Sequence, residues 1–537
     1  MRFSVVDEAT IPASTNQGNE RLSIRDLLHR SHEVRALAVE PRTVYAAVMR
    51  QLLLPIVIDA EGPPTSEVEW RARFLRGGFD RDQIDAYLDR YADRFDLFDD
   101  EKPFAQVGGL VTTTGEAKGA GLLLPALASG NNVPLFSAAT EATPTCLPAA
   151  DAMLWLLHAH CYDTAAIKSG AAGDPHVKAG KTTGNPVGSL GRLGVALPSG
   201  PNLYETLVLN TPVRPDGADP ADAPWWRRPP RGPAWDERPA SGLLDLLTWQ
   251  SRRIRLFPTP GDESVESVVL CAGDRLSTVP EFEPHTLWNL ETKPKAGQPP
   301  RRPRAHRSGR TAWRGLSALL ALPGTSTSGE VATAGVISGI ADHSAKGSLP
   351  AGYPLNIEII GIEYGNQSAV VENVIHDAIP LPLVALADSD GRDAVERFAA
   401  DAEELARAVD RLERGLKLAM GGDLVPWDKG QRASARLLAM LDMPVRRCLA
   451  GLQRSPGRFY DAVDAWCATA RNAALDILEE LIGSVSAIAF AGHSYDDAKG
   501  VANVSTAELR FRADLNRILG PKPPLESDPN HREEVSA

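Results

Sequence analysis

Apolar residues recur every three or four positions through long stretches of the last third of the sequence, and this repeat constrains the fold more than any other feature. One series covers residues 395–416, and another covers residues 459–481. The spacing places the apolar side chains on one face of a helix, and such a face has to be buried against a neighbour. Together with two further helical runs, these series predict a C-terminal four-helix bundle over residues 386–520.

The two further runs are marked by their ends as well as by their periodicity. One covers residues 433–449, with an interruption or an end expected at Pro444, because proline lacks an N–H and collides with the preceding turn. The other begins at a capping box formed by Ser505 and Glu508. The polar tail 521–537 that follows is predicted to be disordered.

The first 385 residues have a different texture, in which Gly and Pro punctuate short apolar runs. Examples of such runs are residues 207–210 and 356–364. A helix is predicted after Ser23, which suits an N-cap, and another over residues 44–57, where apolar residues recur at three and four. The mixture predicts a large irregular α+β domain over residues 1–385.

Within this domain lie segments whose composition breaks regular structure. Residues 108–130 are rich in Gly, Thr and Ala, and residues 170–202 hold so many Gly and Pro that neither a helix nor a strand is expected to persist. Residues 292–314 carry eight Lys or Arg residues and no acid. Their proline content predicts an extended loop, with Trp313 as an anchor at its end.

The charge of the chain has to be considered locally. A formal charge of −12 argues against a protein held to nucleic acid by bulk positive charge. The cations of residues 292–314 qualify that conclusion, because the rest of the chain then sums to −20. Guanidinium groups in such a segment suit contacts with DNA phosphates, and a solvated charge run is the alternative. The candidates for these contacts are Arg301, Arg302, Arg304, Arg307 and Arg310.

Cysteine usage and the N-terminal residues indicate the compartment. The five cysteines are far apart and form no C-x-x-C pair. A zinc site or a disulfide framework needs closer or paired spacing, so reduced, buried thiols are expected. Asp7 and Glu8 stand where a signal peptide would need an apolar core, and no run approaches about 18 apolar residues. We therefore expect a cytoplasmic protein without a membrane partner.

Three fragments resemble phosphate or metal sites, and each lacks a necessary feature. The run AGKTT would need glycine at position 175 to form a phosphate-binding P-loop, and Pro175 stands there. The run HEVRA has Ala36 where the second ligand of H-E-x-x-H should be. His158 and His160 follow an apolar helical run, where a helix end is more common than a metal site. We expect neither a metal nor a cofactor.

Ser494 is the enzyme candidate, because GHSYD resembles a nucleophile elbow. The elbow needs glycine two positions after the serine, where Asp496 stands, and it needs a strand–turn–helix context rather than a place between bundle helices. The dipeptide His376-Asp377 suggests a metal phosphohydrolase only if further ligands cluster with it, and none accompany it in the sequence. No catalytic constellation survives, and a serine hydrolase using Ser494 is kept as the enzyme alternative.

Six non-catalytic stretches follow one another in a fixed order before the predicted bundle. They are FSVVDEATIP, LSIRDLLHRSHEVRAL, KPFAQ, ETLVLN, LLDLLTWQSRRIRLF and EYGNQSAVVEN. In order and spacing they resemble the CasA family, the large subunit of the type I-E CRISPR Cascade surveillance complex. The similarity spans nearly the whole chain.

The resemblance implies both a fold and a function. CasA proteins have an irregular N-terminal domain and a C-terminal four-helix bundle, and they recognise the short PAM in double-stranded DNA and help to open the duplex for crRNA pairing. They are not nucleases. The implied partners are target DNA, crRNA, the other Cascade subunits including the small-subunit pair, and the recruited helicase-nuclease. A helical scaffold without DNA contacts is the remaining alternative.

Two DNA-contacting elements are implied residue by residue. EYGNQSAV resembles the family's wedge hairpin, with Gly365 at its tip and with Gln367, preceded by Asn366, entering the base stack beside the PAM. An ordinary polar hairpin turn is the alternative. The family's glycine loop, which lies in the minor groove, corresponds to KAGKTTGN, where a backbone without bulky side chains suits close approach. Its candidates are Gly180, Lys181, Thr182, Thr183 and Gly184.

Two further residues are implied by the resemblance. Phe136 resembles the aromatic residue of the family loop for PAM sensing and contact with the crRNA 5′ end, and burial beneath the loop is the alternative. Arg275, the only cation between Cys271 and Trp288, corresponds to a basic residue that reaches the minor groove in some members. Some relatives carry clustered cysteines in this region, but Cys271 alone gives no basis for zinc. Acidic helix faces, such as the one with Asp401, are expected to meet protein rather than DNA.

Overall fold

The structure, a computed structural model, describes residues 2–127, 145–261, 263–291, 293–294, 299–323, 330–422, 432–495 and 500–520. The chain divides into two compact units. The first consists of Met1–Ala312 and Ser317–Ala387. The second consists of Trp313–Leu316 and Asp388–Ala537, so it includes the last two residues of the basic stretch 292–314.

Helices and strands alternate irregularly before Asp388, and the predicted α+β class is confirmed. The helices are Ile24–His29, Arg42–Val48, Leu54–Glu61, Glu67–Arg76, Arg81–Arg90, Ala149–Tyr162, Leu203–Leu209, Leu243–Leu247, Leu316–Leu319, Gly335–Ala345 and Leu383–Ala387. The strands of three or more residues are Ile11–Thr15, Gly18–Leu22, Val34–Leu37, Val195–Ser199, Arg252–Pro258, Ser264–Ala272, Trp288–Leu290, Arg301–Pro303, Asn356–Tyr364 and Val371–Pro380. The apolar run 207–210 lies largely in a helix, whereas 356–364 is a strand.

One sheet positions the long hairpin of the first unit. The strand Asn356–Tyr364 lies between Val371–Pro380 and Val195–Ser199 and is antiparallel to both. The expectation that no strand persists in residues 170–202 was therefore wrong. Val195, Ala196 and Leu197 are fully buried, and their burial outweighs the glycine-rich surroundings.

A second sheet positions the glycine-rich segment. Ser264–Ala272 pairs antiparallel with Arg252–Pro258 and, at a single parallel step, with Lys168–Ser169. Lys168–Ser169 in turn pairs with Lys181–Thr182, so the segment is attached to the edge of a real sheet. The smaller sheets described in the first unit are the N-terminal one of Gly18–Leu22, Ile11–Thr15 and Val34–Leu37, that of Arg301–Pro303, Trp288–Leu290 and Val331–Ala332, and the pair Arg275–Leu276 with Glu237–Arg238.

A continuous helical run forms much of the core of the first unit. Arg42–Val48 passes through a π-helical turn, Met49–Leu53, into Leu54–Glu61. The helix predicted over 44–57 is thus confirmed, with a π turn that periodicity does not reveal. By length and composition alone Arg42–Glu61 could cross a membrane, but nearly all of it is buried inside the protein, as in the core helix of a soluble domain.

Four long helices pack together in the second unit. They are Ser389–Ala419, Ala433–Arg454, Phe459–Gly483 and Val504–Leu519, and the first contacts each of the other three. Its predicted core side chains are buried, among them Val395, Phe398 and Leu405. The rings of Phe398 and Trp466 lie 5.6 Å apart at the centre. The predicted four-helix bundle is confirmed.

Two details of the bundle differ from expectation. The helix Ala433–Arg454 runs through Pro444 without ending, although the proline removes the bond to the Met440 carbonyl oxygen and crowds that turn. Met440 is 42% exposed, so the defect lies on the outer side of the helix, and fully buried neighbours such as Leu441 and Val445 keep the helix packed. The last helix is capped by Asn503, whose side chain accepts the Thr506 N–H, rather than by Ser505. It ends at Gly520, and the tail 521–537 lies outside the described residues.

The cysteines are all free, as expected, but they are not all buried. Cys161 and Cys271 are buried and Cys448 and Cys467 are partly so, whereas Cys146 is exposed. Burial raises the pKa of the Cys161 thiol to about 12, so it stays protonated and unreactive.

Candidate nucleic-acid interface

A long antiparallel hairpin carries the predicted wedge residues. Its strands, Asn356–Tyr364 and Val371–Pro380, pair along their length. At the far end a single 3-10 turn, Asn366–Ser368, reverses the chain. The Gly365 N–H donates to the Val370 carbonyl oxygen at 3.0 Å and closes the turn.

The tip of this hairpin is Gln367 and not Gly365 as expected. Gln367 has φ 53° and ψ 23°, and Ser368 has φ 55°, so two residues with side chains occupy the left-handed region. Gly365 has φ −77° and is confined instead by Glu372, whose Oε1 would lie 2.3 Å from an added Cβ. Left-handed backbone costs about 1–2 kcal/mol per non-glycine residue, and such strain concentrates at functional sites.

The turn presents amide groups outward while its main chain is held from below. The Asn366 and Gln367 side chains are exposed. The Ala165 N–H donates to the Ser368 carbonyl oxygen at 2.8 Å. At the base of the tip, the Tyr364 hydroxyl donates to the Tyr162 carbonyl oxygen at 2.7 Å. The tip is therefore a fixed polar projection.

The glycine-rich segment contains a tight two-residue turn. Lys178 and Lys181 exchange N–H to carbonyl hydrogen bonds at 2.9 and 3.1 Å. Between them Ala179 and Gly180 have φ 50° and 74°, the two positive values typical of a type I′ turn. We call residues 178–184 the glycine turn, and Gly184 ends it with φ 66°.

The glycine turn offers only some of its predicted contacts. Lys181, Thr183 and Gly184 are exposed, and Gly180 is partly exposed. The Thr182 side chain is 2% exposed, so it faces the protein. The turn therefore exposes two ammonium groups, those of Lys178 and Lys181, together with the Thr183 hydroxyl and main chain without bulky side chains. These are the kinds of group that minor-groove acceptors and phosphates can meet.

Arg275 lies against the glycine turn. Its guanidinium donates to the Thr183 carbonyl oxygen at 3.1 Å and to the Asn185 Oδ1 at 3.5 Å. The guanidinium carbon stands 3.7 Å from the centre of the Trp235 ring, in a cation–π contact. Burial lowers the pKa of the Arg275 guanidinium, with Glu237 opposing the shift. The structure thus places Arg275 beside the glycine turn, where its guanidinium supports the main chain of the turn.

The basic stretch is partly a strand, which corrects the expectation of an extended loop. Arg301–Pro303 pairs antiparallel with Trp288–Leu290. Arg301 contacts Glu281 at 3.2 Å, and Arg302 contacts Glu291 at 3.5 Å. These two candidates for phosphate binding are therefore also engaged with acids of the same unit.

The three other candidates for phosphate binding, Arg304, Arg307 and Arg310, differ in their exposure. Arg304 donates weakly to Asn289 at 3.5 Å, and burial followed by repulsion from Arg310 and Arg307 lowers its pKa. The side chains of Arg307 and Arg310 are exposed. Trp313 is fully buried and donates to the Asp442 carboxylate at 2.8 Å within the second unit.

Among the residues that the structure describes, the other predicted sites give no enzyme-like arrangement. Phe136 lies outside the described residues. Ser494 is an exposed residue in the two-stranded hairpin His493–Tyr495 and Gly500–Ala502, and within the described ranges no acid or imidazole is hydrogen-bonded to it. Across the same ranges no three His, Cys, Asp or Glu side chains are grouped as a metal ion would require.

Both candidate histidines are structural. His158 Nε2 lies 3.1 Å from the Thr43 hydroxyl, and His160 Nε2 lies 2.9 Å from the Ala105 carbonyl oxygen. Burial lowers the pKa of His158 to about 3 and that of His160 to about 4, so both rings are neutral.

The sequence of this chain matches that of a known protein family. The profile of CRISPR-associated protein Cse1 matches residues 5–477. The chain belongs to the Cse1 family. It is 28% identical to CRISPR-associated protein CasA/Cse1 of Thermus thermophilus over 501 residues, which cover 88% of this chain and 91% of the relative.

Solved structures share the fold over the whole chain. Cse1 of Thermobifida fusca superposes with a TM-score of 0.84 at 33% identity, covering 96% of this chain and 98% of the other. A protein described as a CRISPR RNA-guided surveillance complex superposes with a TM-score of 0.70 at 22% identity, covering 96% and 99%. At that identity the second likeness supports the fold alone.

Sequence reasoning missed the residues that support the candidate interface in this member of the Cse1 family. Trp235 underlies Arg275, and its ring also stacks on His176 with centroids 4.2 Å apart. Asn185 and Arg252 lie nearby and contact main-chain carbonyls. The lone tryptophan in PAWDERP was the available signal, because an aromatic residue in a Pro-rich polar run needs a packing partner.

Proposed function

We propose that this chain recognises the PAM in double-stranded target DNA as a subunit of a CRISPR RNA-guided surveillance complex and helps to open the duplex for crRNA pairing. Membership of the Cse1 family supports the CRISPR assignment. Assembly with crRNA and other subunits belongs to the proposal, and a solved protein with the same fold is described as a CRISPR RNA-guided surveillance complex. The observation that carries the DNA role is the hairpin tip, where Gln367 is exposed in a left-handed conformation.

The tip suits duplex opening because it combines rigidity with amide chemistry. An exposed Gln or Asn side chain both donates and accepts hydrogen bonds, so it can replace the bonds of a separated base pair. Unstacking a base step costs a few kcal/mol. A mobile side chain would also have to be ordered on binding, so a tip that is already fixed leaves more of its binding free energy for unstacking. The hydrogen bonds from Ala165 and Tyr364 fix the tip in advance.

The glycine turn suits the minor groove beside the opened step. Its compact main chain permits close approach, and Lys181 supplies one positive charge. Arg307 and Arg310 provide further cations for the backbone outside the PAM. We assign no catalytic step, metal or cofactor to the chain. The proposal also includes docking of a helicase-nuclease and contact with the small-subunit pair. It places the protein in the cytoplasm, without a membrane partner.

Target binding by the reconstituted complex tests these assignments. Gln367→Ala should reduce opening of the base step beside the PAM, measured by 2-aminopurine fluorescence. The pair Lys181→Ala and Thr183→Ala should weaken binding to duplexes with a correct PAM. Asn373→Ala, an exposed amide on the same hairpin but away from the tip, serves as the control. Equal binding and opening by all variants would instead support a helical scaffold without DNA contacts.

A covalent probe tests the enzyme alternative independently. A fluorophosphonate should leave Ser494 unlabelled, because an isolated serine hydroxyl has no base to activate it. Labelling that Ser494→Ala abolishes would favour a hydrolase.

A further inference from the structure

A short segment, residues 164–166, lies between the glycine turn and the hairpin tip and is hydrogen-bonded to both sides. On one side, the Asn185 Nδ2 donates to the Ala166 carbonyl oxygen at 3.3 Å and to the Thr182 carbonyl oxygen at 2.9 Å. On the other side, the Ala165 N–H donates to the Ser368 carbonyl oxygen at 2.8 Å. Two adjacent residues therefore connect the two elements: Ala166 is bonded to Asn185 at the end of the glycine turn, and Ala165 is bonded to Ser368 in the hairpin tip.

Asn185 is well placed to transmit position between them. Its side chain is 6% exposed, and its Oδ1 accepts from Arg275, so both ends of the amide are engaged. Burial of a polar side chain costs free energy unless its bonds are made, which selects one orientation of the amide. The Asn185 side chain thus joins the end of the glycine turn to the segment that holds the tip.

Arg252 reinforces the same junction from the protein interior. Its side chain is 1% exposed, and its guanidinium donates to the Thr164 carbonyl oxygen at 2.9 Å and to the Pro186 carbonyl oxygen at 2.8 Å. It also pairs with Asp163. The base of the junction is therefore held in place by buried polar contacts, and Asn185, at 6% exposure, is nearly as buried as Arg252.

The tip depends on this segment for its conformation. Ser368, whose carbonyl accepts the Ala165 N–H, is one of the two residues in the left-handed region. A strained conformation persists only where its surroundings over-determine it. Loosening residues 164–166 should therefore loosen the orientation of Gln367.

We propose that Asn185 is a positioning residue that fixes the spacing between the glycine turn and the Gln367 tip, through the main chain of Ala165 and Ala166. This inference rests on the proposed function, because the spacing matters only if both elements meet the same duplex. If Asn185 fixes this spacing, the complex should require the PAM at one fixed distance from the first base pair to be opened. We call this distance requirement the register of the target.

The test uses Asn185→Ala and a matched control, Asn210→Ala. Asn210 is 1% exposed in the same unit, and its Nδ2 donates to the Pro198 and Thr206 carbonyl oxygens, so its loss costs similar hydrogen bonds elsewhere. A second variant, Asn185→Asp, removes the Nδ2 donors and keeps an acceptor for Arg275.

Hydrogen exchange in the full-length isolated chain tests, without DNA, whether Asn185 stabilises the segment 164–166 that holds the tip. In both Asn185 variants the Ala165 amide should exchange about fivefold faster than in the wild type, as expected from the loss of one hydrogen bond. Asn210→Ala should leave the Ala165 amide unchanged. Equal protection of that amide in Asn185→Ala and Asn210→Ala would overturn the proposed link.

Register is then measured in the reconstituted complex with two targets, one normal and one with a single base pair inserted between the PAM and the guide-matched segment. The wild-type preference for the normal target should fall about tenfold in Asn185→Ala and not in Asn210→Ala. Equal preferences in these two variants would refute the positioning role alone. A wild-type complex without any preference would refute the proposed function and the register role with it, while the exchange experiment still decides the link.

Discussion

At the scale of single residues, the candidate interface depends on backbone conformations that composition does not specify. Gln367 and Ser368 are left-handed although Gly365 is close by, since the hairpin register places the turn further along the chain. EYGNQSAV allowed the hairpin to be predicted but not its tip. Likewise, the cation at 275 was identified from the sequence, whereas its contact with Trp235 depends on a residue 40 positions away.

Gln367→Gly should separate stability from function. Glycine removes about 1 kcal/mol of left-handed strain, and its greater freedom in the unfolded chain offsets about 0.4–1 kcal/mol. We expect the free energy of unfolding, measured by denaturant titration, to change by less than about 1 kcal/mol, while duplex opening is lost. Gln367→Val, β-branched at the same site, should destabilise the chain by about 1–3 kcal/mol. The opposite order of the two variants would show that the tip is not strained.

Arg275→Ala should weaken DNA binding without changing its salt dependence. The guanidinium donates to the Thr183 carbonyl oxygen and is proposed to support the turn rather than to meet a phosphate, so its removal loosens the glycine turn without taking away a phosphate-binding charge. The slope of log K against log salt should therefore equal that of the wild-type complex. A decrease of about 0.9 in that slope would mean that Arg275 touches a phosphate directly.

At the scale of elements, long periodic helices were predictable and short strands were not. The four bundle helices follow from spacing alone, because their apolar faces outweigh local defects such as Pro444. Val195–Ser199 escaped prediction because its pairing partner, Asn356–Tyr364, is remote in sequence and its burial is set by tertiary packing. Tertiary pairing likewise turned part of the basic stretch into a strand.

The basic stretch should bind DNA through charge and not through sequence. Replacing Arg307 and Arg310 together by Gln should lower the salt slope of target binding by about 0.9 for each phosphate that these side chains neutralise. Discrimination between PAM sequences should stay the same, because phosphate contacts carry no base information. A changed PAM preference with an unchanged slope would assign these arginines to base readout.

The bundle core contains the carboxylate of Asp401, and its negative charge lowers the free energy of unfolding. Burial raises the pKa of Asp401, while Arg397 and the Trp466 N–H, 3.2 Å away, oppose the shift. A folded pKa above the unfolded value means that the ionised group destabilises the fold at neutral pH, and that this cost fades as pH falls through the folded pKa. Asp401→Asn, which can still accept from Trp466, should stabilise the full chain in denaturant titrations at pH 7 and lose that advantage as pH falls towards about 4. Lower stability of the variant at pH 7 would contradict this.

At the scale of the whole molecule, the net charge of −12 and local cationic sites are compatible. Repulsion from phosphate should keep the isolated chain from binding DNA tightly, while the glycine turn and the hairpin tip inspect a duplex that the assembled complex holds. On the proposed function, the acidic balance should favour selectivity in the complex over affinity of the isolated subunit.

The most direct measurement compares Kd values for two duplexes that differ only in the PAM, using the reconstituted complex with and without this chain and the chain alone. With the chain present, the complex should prefer the correct PAM by at least about tenfold, since one mismatched base pair costs about 1–3 kcal/mol. Without the chain this preference should vanish, and the chain alone should bind both duplexes weakly. Equal discrimination with and without the chain would contradict the assignment.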